Sequence, residues 1–198
     1  EDKSKNYGGA IYVYSCKQNT FLNNCSFVNN FIESKLNSAS CFGGGFCLNS
    51  ANAHITDCTF SGNFIRGGSE NSGGALASVN YNVNINLTNC IFVKNSASSL
   101  NIDSGGALYI MSGEVNNCTF IDNDAKFGGD LYFFQFNDLS NLSVNYCLFN
   151  RTKNLNVKSI FFFEQKKAKN LCKFENNKIL IVDPKEIKIF NGTISNTK

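Results

Sequence analysis

The sequence has little of what metal sites, catalytic centres and membrane spans are built from. It contains a single histidine, His54, and no Cys-x-x-Cys pair among nine cysteines, so a zinc site has little support and His54 reads as an ordinary strand or turn residue. The net charge is +3, and the basic cluster at 166–169 lacks the aromatic interleaving typical of nucleic-acid binding. The longest apolar runs, 160–163 and 179–182, are too short to cross a bilayer. We therefore expect no metal, no cofactor, no nucleic-acid partner and no transmembrane segment in this chain.

What the sequence has in abundance is repetition. Six times a cysteine is followed two residues later by a phenylalanine: Cys25/Phe27, Cys58/Phe60, Cys90/Phe92, Cys118/Phe120, Cys147/Phe149 and Cys172/Phe174. In five of these units an asparagine stands five residues after the cysteine: Asn30, Asn63, Asn95, Asn123 and Asn177. The Cys147 unit departs, with Thr152 at that position. Upstream of the first five cysteines lies a glycine pair followed, after one residue, by an apolar residue: Gly8–Ile11, Gly43–Phe46, Gly73–Leu76, Gly105–Leu108 and Gly128–Leu131.

The repeat length and residue types together predict the architecture. Successive cysteines are 33, 32, 28, 29 and 25 residues apart, a range that suits several solenoids. Helix formers are sparse, and apolar residues alternate with polar ones, as in 83–87, which indicates short strands. We predict an all-β chain folded as a parallel β-helix of about six coils. The repeats would occupy residues 1–177, and residues 178–198, interrupted by Pro184, would form a strand segment or cap.

Stacked coils place each repeat position in its own ladder. Two residues of each glycine element are predicted to lie in the core: the apolar residue and the residue two positions after it, which shares its face. The cysteine and phenylalanine ladders are also predicted to lie in the core. The opposite face carries Ala10, Gly45, Ala75, Ala107 and Asp130, then Tyr12, Cys47, Ala77, Tyr109 and Tyr132. Because it tolerates a charge at one coil, we predict that this face looks to solvent. The recurrent asparagines are expected to form a ladder of side-chain amides at a corner that needs the left-handed conformation.

The cysteines are predicted to be free thiols. Neighbours in one ladder would lie about 4.8 Å apart, whereas the Cβ atoms of a disulfide lie nearer to about 3.8 Å. Cys16, Cys41 and Cys47 lie outside the ladder, and a local bridge between Cys41 and Cys47 stays open.

The two repeated elements together resemble the repeats of the polymorphic membrane protein family. Its Gly-Gly-Ala-Ile/Leu element stands here at 8–11, 73–76 and 105–108, and its Phe-x-x-Asn element follows five of the six cysteines, over about residues 8–177. The departures are Gly45 and Asp130 in place of alanine and Ser159–Phe161 in place of the last glycine element. The resemblance implies a right-handed β-helical stalk of a cell-surface or secreted protein, several relatives being implicated in adhesion.

Three classes of function are therefore weighed. The first is a non-catalytic segment that binds a protein or glycan on another surface, with Tyr12, Tyr109 and Tyr132 as candidate contacts unless a loop or the C-terminal tail covers them. The second is a structural spacer or assembly subunit, since open coil ends recruit other chains. The third is a polysaccharide-acting enzyme or a calcium site, for which the acidic residues Asp103, Asp122, Asp124 and Asp130 are too sparse.

The remaining motifs bear on the compartment. If the protein is secreted by a eukaryote, glycosylation acceptors stand at Asn24, Asn86, Asn117, Asn141, Asn150 and Asn191, although a chain this rich in Asn, Ser and Thr generates such motifs by composition. With no signal peptide at Glu1 and no anchor at Lys198, we expect this chain to be a piece of a larger protein at the cell surface or outside the cell.

Overall fold

The computed structural model describes residues 4–80, 83–135, 141–152, 159–164, 172–180 and 193–195, and all regular structure among them is β-strand. The first coil contains β1 (Lys5–Tyr7), β2 (Ile11–Tyr14), β3 (Thr20–Asn23), β4 (Ser26–Val28) and β5 (Phe31–Ser34). The second contains β6 (Ser40–Phe42), β7 (Phe46–Asn49), β8 (Ala53–Thr56), β9 (Thr59–Ser61) and β10 (Phe64–Gly67). The third contains β11 (Glu70–Ser72), β12 (Leu76–Val79), β13 (Ile85–Thr88), β14 (Ile91–Val93) and β15 (Ser96–Ser98).

Among the described residues, later coils contain fewer strands. The fourth holds β16 (Ile102–Ser104), β17 (Leu108–Ile110), β18 (Gly113–Asn116) and β19 (Thr119–Ile121), and the fifth holds β20 (Leu131–Gln135), β21 (Leu142–Asn145) and β22 (Leu148–Asn150). The last described strands are β23 (Ile160–Glu164), β24 (Cys172–Glu175), β25 (Lys178–Leu180) and β26 (Thr193–Ser195).

Equivalent strands of successive coils pair in parallel and form five sheets. Sheet A is β1-β6-β11-β16, sheet B is β2-β7-β12-β17-β20-β23, and sheet C is β3-β8-β13-β18-β21-β24-β26. Sheet D is β4-β9-β14-β19-β22-β25, and sheet E is β5-β10-β15. The register keeps homologous residues opposite one another, as Leu76 lies between Phe46 and Leu108. The predicted fold class, an all-β parallel solenoid, is confirmed.

The solenoid has about four full turns rather than the expected six, because sheet A contains four strands. Sheet E is reduced to a single bridge in the fourth coil, Ser96 with Asp124, and sheet A to a single bridge in the fifth, Ser104 with Phe127. The later repeats are also the shorter ones, so they have fewer residues from which to build all five strands. Beyond residue 177, β25 pairs with β22 and β26 pairs with β24. Pro184 lies outside the described residues, and the cap formed by 178–198 stays a prediction.

Phenylalanine rings form the centre of the core, between sheets B, C and D. The rings of Phe27, Phe60, Phe92, Phe120 and Phe149 stack face to face in a single column, with centroids 4.7–5.0 Å apart and ring planes within 7°. The first residue of the column is nearly buried and the others are fully buried. The predicted phenylalanine ladder is therefore confirmed, and with it the inward side of sheet D.

The cysteine ladder lies beside this column, with Cys58, Cys90, Cys118 and Cys147 buried and Cys25 half-buried. All eight cysteines whose side chains are described are free thiols, including Cys41 and Cys47, so the alternative bridge between those two is not formed. Burial raises the pKa of Cys58 to about 11 and that of Cys47 to about 12, which keeps both thiols protonated and unreactive at neutral pH.

The prediction that Cys172 and Phe174 continue the cysteine and phenylalanine ladders is wrong. Cys172 pairs with Leu142 and Phe174 with Val144, so both lie on sheet C, five positions before the cysteine and phenylalanine ladders. Asn177 takes the cysteine position instead: its side-chain oxygen accepts the backbone N–H of Cys147 at 2.7 Å. Cys25 and Cys118 donate their backbone N–H groups to the sulfur of the following coil in the same way. Asn177 is therefore not part of the asparagine ladder.

The glycine pairs form the turn between sheets A and B. Gly73 has φ +71°, in the left-handed region that favours glycine. A Cβ on the next residue, Gly74, would lie 2.2 Å from the carbonyl oxygen of Gly106, which occupies the same position in the following coil. The first glycine thus turns the chain, and the second lets adjacent coils approach closely.

The predicted solvent face of sheet B is wrong. Cys47, Ala77, Tyr109 and Tyr132 are buried, and so are Gly45, Ala75, Ala107 and Asp130. Tyr7, Phe42 and Phe127, each directly before a glycine pair, pack against this face, and Phe134 and Phe161 of sheet B pack beside them. Sheet A folds back over the outer side of sheet B, so the molecule has a second apolar layer in addition to its main core.

Candidate functional site

The three tyrosines that the sequence predicts as contacts, Tyr12, Tyr109 and Tyr132, lie in two different environments. Tyr109 and Tyr132 stack on each other with ring centroids 5.4 Å apart, and Phe161 stacks on Tyr132 at 5.2 Å. Burial raises the pKa of Tyr132 to about 12 and also raises that of Tyr109. Both are packing residues of the second apolar layer, which excludes them as contacts with a partner. Phe42 and Phe134 pack against Tyr109. The alternative, a cover by a loop or the C-terminal tail, stays a prediction for the tail, most of which lies outside the described residues.

Tyr12 remains accessible, and the structure adds a neighbour that sequence reasoning missed. Tyr12 is 39% exposed and Tyr14, two residues along the same side of β2, is 67% exposed. Their ring centroids are 6.1 Å apart. The period-2 alternation within β2 could have identified Tyr14, because it shares a face with Tyr12.

Polar side chains from the next two coils form a hydrogen-bonded group that reaches the Tyr12 hydroxyl. Asn49 donates a 3.0 Å hydrogen bond to the Tyr12 hydroxyl, and Asn80 donates to Ser50 at 2.9 Å. We call Tyr12, Tyr14, Asn49, Ser50 and Asn80 the tyrosine patch. Tyrosine with asparagine and serine is the composition of adaptable recognition surfaces, since the rings supply contact area and the small polar groups supply hydrogen bonds.

The asparagine ladder is confirmed and runs through the interior at the corner between sheets D and E. Asn63 donates from its side chain to the Asn95 side-chain oxygen at 2.9 Å, and Asn95 donates likewise to Asn123. Asn30 begins the ladder by donating to Asn63. The left-handed residue at this corner is the one before the ladder, such as Asn29 or Lys94, rather than the ladder asparagine itself.

A buried ion pair ends the ladder. Asn123 donates its last side-chain N–H to a carboxylate oxygen of Asp130 at 2.9 Å. The guanidinium of Arg151 donates to the Asn123 carbonyl at 2.9 Å and lies 3.6 Å from the second Asp130 oxygen. Both side chains are almost completely buried. Two departures from the repeat, an aspartate in place of alanine and an arginine in the unit that lacks the asparagine, thus compensate each other.

Burial of this aspartate makes stability depend on pH. Burial raises the pKa of Asp130 from 3.8 to about 6, against the lowering by Arg151 and Asn123. A pKa that is higher in the folded than in the unfolded state adds stability, which is fully present at pH values below the unfolded-state pKa. This added stability is lost as pH rises through about 6. Relative to Asp130→Asn, the wild-type protein should therefore become more stable as pH falls from 7 to 4. Urea unfolding at four pH values measures this; a constant difference or the opposite slope would contradict it.

The other acidic residues do not converge with Asp130. Asp122 accepts bonds from the backbone N–H and hydroxyl of Thr152, at 2.6 and 2.7 Å. Asp103 lies in sheet A, where burial raises its pKa. Within the part of the chain that the structure describes, no group of three or more His, Cys, Asp or Glu side chains could hold a metal ion. His54 lies on the outer side of sheet C, where its ring stacks on Phe21 at 5.3 Å.

The candidate glycosylation acceptors occupy several positions. Asn24 and Asn117 are exposed at left-handed turn positions, and the Asn117 amide donates to Asn89. Asn141 is exposed, whereas Asn86 and Asn150 are half-buried on sheets C and D. Asn191 lies outside the described residues. Their glycosylation stays a prediction.

Comparison of the chain with protein-family models, with curated proteins and with solved structures gives no match in any of the three. Among the described residues there is no helix with the length and apolar character needed to cross a membrane.

Proposed function

We propose that this chain is a non-catalytic β-solenoid segment of a cell-surface or secreted protein, and that it binds a protein or glycan on another surface. The observation that carries the proposal is the tyrosine patch. Its two adjacent exposed rings lie on the outer side of sheet B, beside asparagine and serine side chains. Rigid aromatic residues lose little conformational entropy on binding, so they favour recognition.

The resemblance to polymorphic membrane protein repeats supports the same proposal. The proposed surface location and adhesive role depend on this resemblance. Its two elements perform structural work in this chain: the glycine pair turns the chain into sheet B, and Phe-x-x-Asn supplies the ring column and the amide ladder. Such a repeat builds an elongated solenoid in which the outward-facing residues can differ from coil to coil. This suits a surface protein that displays binding residues.

Replacing Tyr14 with serine tests the proposal. Binding to intact cells or to an immobilised glycan array should weaken at least about tenfold, because an exposed aromatic anchor is lost. Tyr12→Ser should act in the same direction. Stability should change by no more than about 0.5 kcal/mol for Tyr14→Ser, since that ring is mostly in solvent.

Tyr146 supplies the matched control. Its side chain is 66% exposed, a fraction similar to that of Tyr14. It lies at a turn in the fifth coil, at a position where other coils carry asparagine or aspartate. Tyr146→Asn should leave binding unchanged. Equal loss in both variants, or wild-type protein that binds neither cells nor glycans, would contradict the proposal.

A further inference from the structure

Two buried side-chain oxygen atoms on sheet A have no hydrogen-bond partner among the described residues. They are Oδ1 of Asn71 in β11 and Oδ1 of Asp103 in β16. The two strands pair in parallel with Asn71 opposite Asp103, so these side chains lie side by side on one face, about 4.8 Å apart. A buried acceptor without a donor is destabilising. A single hydrogen atom between the two oxygens would satisfy both.

The Asn71 side chain is oriented by two bonds to sheet E. It is fully buried, and its N–H groups donate to the backbone carbonyls of Gly67 at 2.9 Å and Ser98 at 2.6 Å. Rotating the amide to offer an N–H to Asp103 would break both bonds and turn the amide oxygen toward two carbonyl oxygens. Asn71 can therefore only accept a hydrogen bond from Asp103. A carboxylate has no hydrogen to donate, whereas a neutral carboxylic acid has one.

The surroundings of Asp103 favour its neutral form. β15 contains no charged residue, and the charged residues on the other described neighbouring elements are Glu70, Asp124 and Lys126. The Lys126 ammonium group donates to the Asn101 carbonyl at 3.4 Å. Burial raises the pKa of the Asp103 carboxyl, and the charge of Asp124 adds to the rise, against the lowering by Ser99 and Lys126.

We propose that Asp103 takes up a proton from solvent on folding and donates the resulting O–H to Asn71 Oδ1, an acid-dependent hydrogen bond that joins the third and fourth coils on sheet A. A group that binds a proton more tightly in the folded state adds stability that is lost as pH rises, so this bond stabilises the solenoid as pH falls. The inference depends neither on the tyrosine patch nor on the ion pair of Asp130 and Arg151.

Asp103→Asn tests the inference, because its amide offers a permanent N–H in place of the acid proton. At about pH 8 the unfolding equilibrium constant of this variant, measured with urea, should be about fivefold lower than that of the wild type, the effect of gaining one hydrogen bond. The difference should shrink as pH falls to about 4, where the wild type makes the bond as well. Glu70→Gln is the matched control, since it removes one negative charge from an exposed position of the same sheet. An equal gain in both variants at pH 8, or a difference that does not change with pH, would overturn the proposal.

The carbon-13 resonance of the Asp103 carboxyl gives a second readout in the unmodified chain. It should titrate with a pKa above the ordinary value of 3.8, and the Asn71 side-chain resonances should shift over the same pH range. A pKa at or below the ordinary value would overturn the proposal and indicate that a donor such as water serves the ionised carboxylate. Stabilisation of the wild type, but not of Asp103→Asn, by calcium on the order of 1 mM would also overturn it, since a cation would then occupy the site.

Discussion

Replacing Asp130 with alanine should destabilise the protein by about 2–4 kcal/mol at pH 7, because the variant removes the carboxyl group and not only its charge. The buried Asn123 side-chain N–H loses its acceptor, which costs about 1–3 kcal/mol. The buried Arg151 guanidinium loses the carboxyl oxygen that lies 3.6 Å away. Urea unfolding at pH 7 measures the change.

The second partner provides the control. Arg151→Met should cost less than Asp130→Ala, because a buried carboxyl can protonate whereas a guanidinium cannot. The double variant, which carries alanine as in other glycine elements and an uncharged chain of similar length, should recover at least about 2 kcal/mol of the loss. Additive losses in the double variant would show that the two side chains do not interact.

Replacing Asn95 with alanine should also cost about 3–5 kcal/mol, because it interrupts the amide ladder in the interior. The Asn95 side-chain oxygen accepts from the backbone and side chain of Asn63, and its N–H groups donate to Phe60 and Asn123. The two Asn63 donors and the Phe60 carbonyl would lose these bonds in a buried site, where each unsatisfied group costs about 1–3 kcal/mol before relaxation. The Asn123 oxygen keeps its bond from the backbone N–H of residue 95. Thermal and urea unfolding measure the loss.

Asn30 is the matched control for the ladder. It is half-buried, and its side chain donates one bond, to Asn63. Asn30→Ala should therefore cost about 1 kcal/mol, the net value of a single hydrogen bond. Equal costs at Asn30 and Asn95 would contradict a ladder whose strength comes from burial.

The ladders were predictable from the sequence because stacking repeats the same residue at the same place. A period of two within a strand, combined with a repeat near 30 residues, assigned Leu76 and Phe92 to the core and Asn95 to an amide ladder at a corner. The glycine turn was predictable for the same reason: both glycines of a pair recur, and both have a steric role in the structure.

The second apolar layer was not predictable in this way. Alternation tells which residues share a face of a strand, but not whether another strand covers that face. Sheet A carries no repeated motif, since Tyr7, Phe42, Ser72 and Ser104 occupy one position. Asp130 looked like a solvent residue because its partner, Arg151, lies 21 positions later in a unit without the asparagine.

The last repeat was misplaced because Cys-x-Phe is too short to determine register. Cys172 and Phe174 have the spacing of the ladder residues, yet they pair with Leu142 and Val144. The motif fits both inward faces, since each takes apolar residues at alternate positions. In the candidate site, Tyr12 was found by sequence because its position carries tyrosine again at Tyr109 and Tyr132. Tyr14 was not found, because its equivalents in the next two coils are Asn49 and Val79.

Nuclear Overhauser effects among the asparagine side chains test the central claim, that homologous residues of successive coils lie directly over one another. In protein labelled at asparagine, the side-chain amides should show contacts in the order Asn30, Asn63, Asn95 and Asn123, because their nitrogen and oxygen atoms are 2.9 Å apart. The absence of these contacts, or contacts in a different order, would contradict the stacked solenoid.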